Sequence, residues 1–98
     1  MTLPIKDPDE IITVEFDFTA LSSSVSTPVI TVQASYGKDD PSASAMLSGV
    51  PSVTGAEVRQ KIIGGQAGTT YTLRCVADAA DGSRYVLPAA LPVATSTP

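Results

Sequence analysis

Short stretches of the chain alternate apolar and polar residues with a period of two, which is the pattern of half-buried β-strands. In the stretch 11–18, the apolar residues on one face are Ile12, Val14, Phe16 and Phe18. In the stretch 29–36 they are Ile30, Val32, Ala34 and Tyr36. The strongest stretch is 70–78, where they are Tyr71, Leu73, Cys75 and Ala77. No window of about twelve residues keeps the helical period, so the pattern predicts an all-β domain.

Two other segments follow the pattern less regularly. Residues 56–63 place Val58 and Ile62 inward, with Gln60 between them. A glutamine on an apolar face predicts either a hydrogen-bonded side chain or a strand at the edge of a sheet. Residues 41–55 are small and Ser-rich, and they favour either a short strand around residues 45–47 or a helical turn.

The pattern near residues 78–87 predicts a β-hairpin. Asp81-Gly82 is a tight-turn dipeptide, and Arg84–Leu87 follows it as the returning strand. Pro88 and Pro92 limit how far this last strand pairs centrally, because proline has no N–H to donate to a ladder.

Six or seven short antiparallel strands with regular turn signals predict an immunoglobulin-like β-sandwich. Tyr71 and Cys75, ahead of the hairpin, suit the last two strands of such a sandwich. A tyrosine corner places Tyr two residues before Cys; here the separation is four, and we expect Tyr71 to cap the core through a similar hydroxyl-to-backbone bond. We divide the chain into an extended N-terminal arm (1–10), the sandwich (11–93) and a flexible tail (94–98).

Composition restricts the chemistry. The 98 residues include no His, no Trp and one Cys, with a net charge of −4. The absence of His excludes a His-based triad and a His-containing zinc site, and one Cys excludes an intrachain disulfide. The acidic balance argues against nucleic-acid binding. No secretory signal or apolar run of membrane-spanning length is present, so we predict a soluble protein made in the cytoplasm, with no membrane partner.

The reactive side chains favour structural roles. Asp7, Asp9 and Glu10 offer oxygen ligands but lack a calcium-loop pattern. Cys75 lies in the middle of a strand on its apolar face, where we expect a buried, inert thiol. We therefore predict no enzymatic activity, no metal and no cofactor.

Two motifs resemble those of short tailed-phage virion structural proteins with an immunoglobulin-like fold. Those proteins often begin with Lys-Asp-Pro-Asp-Glu and carry a Gly-Gly-x-Ala-Gly-x-x-Tyr turn and strand near the end. Here the motifs are Lys6–Glu10 and Gly64–Leu73. The resemblance covers most of the chain except its middle third. It departs from the family at Phe18, where members often carry Trp, and at the prolines of the last strand.

The resemblance implies a capsid decoration or cement protein that docks on the major capsid protein of the head. The alternatives are a head–tail connector or tail ring component, and a carbohydrate- or cell-surface-binding module. We expect contacts with other virion proteins and self-association through proline-stiffened segments, which lose less entropy on ordering. The predicted partner-binding residues are Pro4, Ile5, Asp7, Pro8 and Asp9 in the arm, and Leu87, Pro88, Leu91 and Pro92 in the last strand.

Overall fold

The alternating segments form strands in the structure, a computed structural model that describes residues 2–37 and 39–95. The strands are β1 (Ile12–Asp17), β2 (Val25–Tyr36), β3 (Leu47–Thr54), β4 (Glu57–Ile62), β5 (Thr69–Ala79) and β6 (Arg84–Val93). A 3-10 turn at Ala43–Met46 leads directly into β3, so the helical-turn alternative is confirmed there. Part of the predicted flexible tail, residues 96–98, lies outside the described residues.

Two three-stranded sheets pack face to face, with strand orders β1-β4-β3 and β2-β5-β6. All four strand pairs are antiparallel. Immunoglobulin sandwiches place strands B, E and D in one sheet and C, F and G in the other. Strands β1 to β6 occupy those places in chain order, which confirms the predicted all-β sandwich.

The core lies between the sheets and includes most of the residues that the alternation placed inward, together with residues of β6 such as Leu91 that it did not. The fully buried side chains of the first sheet and its flanks include Phe16, Phe18, Val58 and Ile62. Those of the second sheet include Tyr71, Leu73, Cys75 and Leu91. Removing this apolar surface from water is the main favourable contribution to folding.

Tyr36 departs from the predicted face of β2. The β2–β5 register shifts between Ala34 and Tyr36, and Tyr36 pairs with the outward-facing Thr70. A shift of one position moves a side chain to the opposite face of the sheet. Tyr36 is therefore 78% exposed on the outside, not inward with Ile30.

The prolines of β6 do not interrupt its ladder with β5, which runs without a register shift from Arg84 to Val93. The carbonyls of Ala90 and Pro92 accept hydrogen bonds from the arm, on the side away from β5. Alternate residues of a strand point their N–H and C=O groups to the same side, so Pro88 and Pro92 also lack their N–H on that outer side. The predicted limit on pairing applies only to the outer edge of β6.

Candidate interface

The outer face of the β2-β5-β6 sheet carries a row of three valines. Val29 pairs with Val76, and Val76 pairs with Val86 on the other side. Val29 is 59% exposed and Val86 39% exposed. Further along the same face, Pro88 lies opposite Arg74. Arg74 has no hydrogen-bond or ion-pair partner among residues 2–37 and 39–95. The face therefore combines an apolar valine row with one unpaired positive charge at Arg74.

One end of the valine row is bordered by an oriented ion pair. Arg84 Nε lies 2.8 Å from Asp78 Oδ1, and the Thr27 hydroxyl donates a 2.8 Å hydrogen bond to Asp78 Oδ2. The hydrogen bond from Arg84 lowers the pKa of Asp78 most, and the hydrogen bond from Thr27 lowers it further. Thr27 adopts a φ of 48°, a left-handed conformation that is rare for a β-branched residue. Together with two of the valines, these groups line a shallow depression of about 350 Å³.

The outer face of the β1-β4-β3 sheet has the opposite character, because charged side chains cover it. Arg59 Nη2 lies between Glu15 Oε1 at 3.6 Å and Glu57 Oε1 at 3.4 Å. A hydrogen bond with the Glu15 carboxyl raises the pKa of Glu57, since two acidic groups this close disfavour double ionisation. Charged side chains thus meet on this face, whereas a row of valines crosses the other.

The predicted contact segments come together along the edge of β6. The arm runs parallel to β6, with isolated bridges at Thr2–Ala90 and Lys6–Val93. The N–H of Leu3 donates to the carbonyl of Ala90, and that of Lys6 to the carbonyl of Pro92, at 2.8 and 2.9 Å. This edge could not be found from local pattern, because parallel pairing joins residues far apart in sequence.

The nine predicted partner-binding residues differ in exposure. The exposed ones are Pro4, Ile5, Asp9 and Pro88. The half-buried ones are Asp7, Pro8, Leu87 and Pro92. Leu91 faces the core with 0% exposure, so its side chain does not reach a surface where a partner could dock.

Lys6 is buried at 1% exposure, a position that the acidic arm sequence did not predict. Its Nζ donates hydrogen bonds to the carbonyls of Asp7 at 2.9 Å and Gly64 at 2.8 Å. Burial lowers the pKa of Lys6, and the nearby carboxylates, that of Glu10 first, oppose the shift. The Lys6 ammonium group of the first motif is therefore hydrogen-bonded to the Gly64 carbonyl of the second motif.

Gln60 lies on the central strand β4 and is 2% exposed, so the hydrogen-bonded alternative is correct. The β3–β4 register shifts between Ser48 and Ser52. The Gln60 amide donates to the carbonyls of Ser48 and Gly49 at 3.1 and 3.3 Å. It thereby supports a bulge that displays Val50 at 89% exposure.

Tyr71 caps the core as predicted. Its hydroxyl accepts a 2.8 Å hydrogen bond from the N–H of Gln66 and donates one to Asp40 Oδ2 at 2.8 Å. Burial raises the pKa of this phenol. Asp40 also accepts a 3.0 Å hydrogen bond from the N–H of Ser42, and it thereby closes the turn after β2.

Reactive chemistry is sparse in the part of the chain that the structure describes. Residues 2–37 and 39–95 contain no group of three or more carboxylate or thiol side chains that could hold a metal ion. Burial raises the pKa of the Cys75 thiol to about 11, so it is protonated and enclosed at neutral pH. The same described residues contain no helix of membrane-spanning length and apolarity.

A comparison with protein families gives one match that covers most of the chain. The family model described as podophage GP4 fiber-tail adaptor protein gp77 matches residues 6–92. No curated protein and no solved structure matches the chain. The matched segment includes both motifs, Lys6–Glu10 and Gly64–Leu73, and all of the sandwich strands except the last residue of β6.

Proposed function

Because the chain belongs to the podophage GP4 fiber-tail adaptor family, we propose that it joins a fiber to the phage tail by protein–protein docking. It is a structural protein of the virion, and the virion is its location. A family of tail adaptors does not support docking on the head shell or on the major capsid protein. Of the earlier alternatives, a tail component fits the family better than capsid decoration.

The valine row on the β2-β5-β6 sheet carries this proposal. Val29, Val76 and Val86 form a continuous apolar strip across three strands. The buried centre of a protein interface is depleted in charge, and each apolar side chain removed from water contributes favourably. The Asp78–Arg84 ion pair at the rim is oriented by hydrogen bonds and supplies polar contacts that set direction.

Docking fits the described side chains better than catalysis or sugar binding. Cys75 is protonated and enclosed. Phe16, Phe18 and Tyr71 are fully buried, which leaves Tyr36 as the most exposed aromatic side chain of the described residues. A carbohydrate-binding surface usually presents several aromatic rings. The role that we propose is therefore non-catalytic and does not involve glycan recognition.

The test replaces an exposed valine by a charge in virions. We expect Val29→Asp to lower the number of copies per particle at least about tenfold, because an unpaired carboxylate would be buried at the interface. The matched control is Ser52→Asp, which adds the same charge to an exposed site on β3 of the charged face. Copies are counted by quantitative mass spectrometry of purified particles, and the fold of each variant is checked by thermal unfolding.

Two results would contradict the proposal. One is equal incorporation of the two folded variants. The other is cryo-electron microscopy density for the chain spread over the head shell, which would favour the decoration role. Density at the junction of tail and fiber supports the adaptor role, and adjacent copies there would also reveal self-association.

A further inference from the structure

The outer edge of β1 is an unpaired strand edge. Immunoglobulin sandwiches often place a strand A beside strand B, but here the N-terminal arm pairs with β6 and leaves the place beside β1 open. The N–H of Phe18 donates to Ala56 on the β4 side. Since groups alternate along a strand, the main-chain N–H and C=O of Thr13 and Glu15 point outward. Among the described residues, those outward groups have no hydrogen-bond partner.

A cleft of about 410 Å³ lies along this edge, between β1 and the arm. Four consecutive residues of β1 line it, from Ile12 to Glu15. Consecutive residues point to opposite faces of a sheet, so the cleft follows the strand edge and not one of its faces. Leu3 and Ile5 of the arm form its other wall, and Ile5 is 68% exposed.

The groups around the cleft select one kind of occupant. Glu10 and Glu15 line it, and Asp9 is exposed on the same arm. Of the nearby cations, Lys6 is buried and Arg59 lies between two carboxylates. Lys61 is exposed opposite Thr13, but the three carboxylates outnumber it. A second copy of β1 would bring Glu15 against an identical acidic edge, and like charges on adjacent strands repel. A basic strand is favoured instead.

We infer that the β1 edge and its cleft bind an extended segment of another virion protein, which alternates apolar and Lys or Arg side chains and joins the β1-β4-β3 sheet as a fourth strand. The main-chain groups of Thr13 and Glu15 supply the hydrogen bonds of this added strand. Alternate apolar side chains enter the cleft against Leu3, Ile5 and Ile12, and the basic side chains meet Glu10 and Glu15. The inference rests on the adaptor role, because it names the chemistry of one of the two partners that an adaptor must hold.

Hydrogen exchange in purified virions tests the inference in the assembled state. The amides of Thr13 and Glu15 have no partner among residues 2–37 and 39–95, so we expect the peptide that contains them to exchange at least about tenfold more slowly in the particle. The decisive virions are those in which the chain lies at the tail and the Val29 face is protected from exchange. If the peptide with Thr13 and Glu15 exchanges there at the rate of the free chain, the inference is overturned. The adaptor role would survive that result.

A titration of the full free chain gives a second test that does not depend on the particle. The probes are Lys-Val-Lys-Val-Lys-Val and, as a charge control, Glu-Val-Glu-Val-Glu-Val, each the length of the 6-residue β1. We expect the basic peptide to shift the amide resonances of Thr13 and Glu15 and the acidic peptide to leave them unchanged. Equal effects of both peptides, or no effect of either, would contradict the inference.

Thr13→Pro removes one outward N–H and leaves the β4 ladder intact, because Thr13 points its N–H away from β4. Thr13→Ala is the matched control, since it loses the same side chain but keeps the N–H. We expect the proline variant to bind the basic peptide at least about tenfold more weakly, and the alanine variant to bind like the unaltered chain. Equal affinity of two folded variants would show that no strand is added at this edge.

Discussion

Lys6, Gln60 and Cys75 are three of the described residues that bury a polar or reactive side chain, and two physical reasons account for them. Lys6 and Gln60 donate to carbonyl oxygens that would otherwise lose their partners. Cys75 behaves as a small apolar residue, because its thiol stays protonated inside the core. A buried polar group costs little when its hydrogen bonds are made and much when they are not.

The Cys75 thiol gives a prediction for alkaline pH. Its pKa is raised from 9.0 to about 11 in the folded chain. A raised acid pKa contributes stability that is complete below pH 9 and is lost as pH rises through 11, since the unfolded chain releases its proton first. We expect this contribution to fall by roughly 2 kcal/mol across that range.

Urea unfolding of the unaltered chain and of Cys75→Ala at each pH measures this loss. The difference between the two free energies of unfolding isolates the thiol from Tyr71, whose raised pKa acts in the same direction. A difference that stays constant across the alkaline range would mean that Cys75 ionises as readily in the folded chain as in the unfolded one.

Among the elements, β3 is the least regular, because its register shifts between Ser48 and Ser52. The bulge carbonyls find their donor in the side chain of Gln60, which reaches across from the core face of β4. The element is therefore held in shape by a side chain of its neighbour.

Replacing this amide should weaken the bulge. We expect Gln60→Leu to lower the free energy of unfolding by about 1–3 kcal/mol, since the carbonyls of Ser48 and Gly49 lose a donor. The matched control is Gln33→Leu at an exposed position of β2, where we expect a change within about 0.5 kcal/mol. Urea unfolding measures both, and equal losses would show that the buried amide has no special role.

The sequence predicted regular elements better than irregular ones. Alternation identified β1 and β5 with their core faces, because period two depends only on local chemistry. The exposure of Tyr36 was missed, since a bulge cannot be read from alternation. The sequence did not reveal that the missing N–H groups of the β6 prolines lie on the edge beside the arm, away from β5. It did not reveal the burial of Lys6 either. Both findings depend on the position of the arm, which is set by long-range contacts.

At the scale of the whole molecule, the arm connects elements that are distant in sequence. It pairs with β6 of one sheet and borders β1 of the other across the cleft. Lys6 anchors it to the Gly64 loop, where Gly65 has a φ of 99° and lies so close to Val93 that an added Cβ would be 3.0 Å from Cγ2. The arm is thus bonded to the body of the fold.

Two truncations separate anchoring from docking. We expect removal of residues 1–5 to weaken incorporation into virions and to lower stability less than removal of residues 1–10. The hydrogen bond of Leu3 with Ala90 and the packing of Leu3 against the core are lost, but Lys6 remains in place. Removal of residues 1–10 also deletes Lys6, which leaves the Gly64 carbonyl without its donor and lowers stability by about 1–3 kcal/mol. Calorimetry measures both, and equal stability of the two truncated chains would contradict the anchoring role of Lys6.

The hydrogen bond from the N–H of Ala94 to the carbonyl of Lys6, 3.0 Å long, brings the first and last parts of the backbone side by side. Because the arm is parallel to β6 and Thr2 lies beside Ala90, a Gly/Ser bridge that runs back along the arm from Ala94 to Thr2 could close the chain. New ends could be opened at the exposed Asp81-Gly82 hairpin. Such a circular permutant would keep all six strands while moving its termini to a different turn of the molecule. That rearrangement offers a site for fluorescent labels that leaves the arm and its cleft untouched.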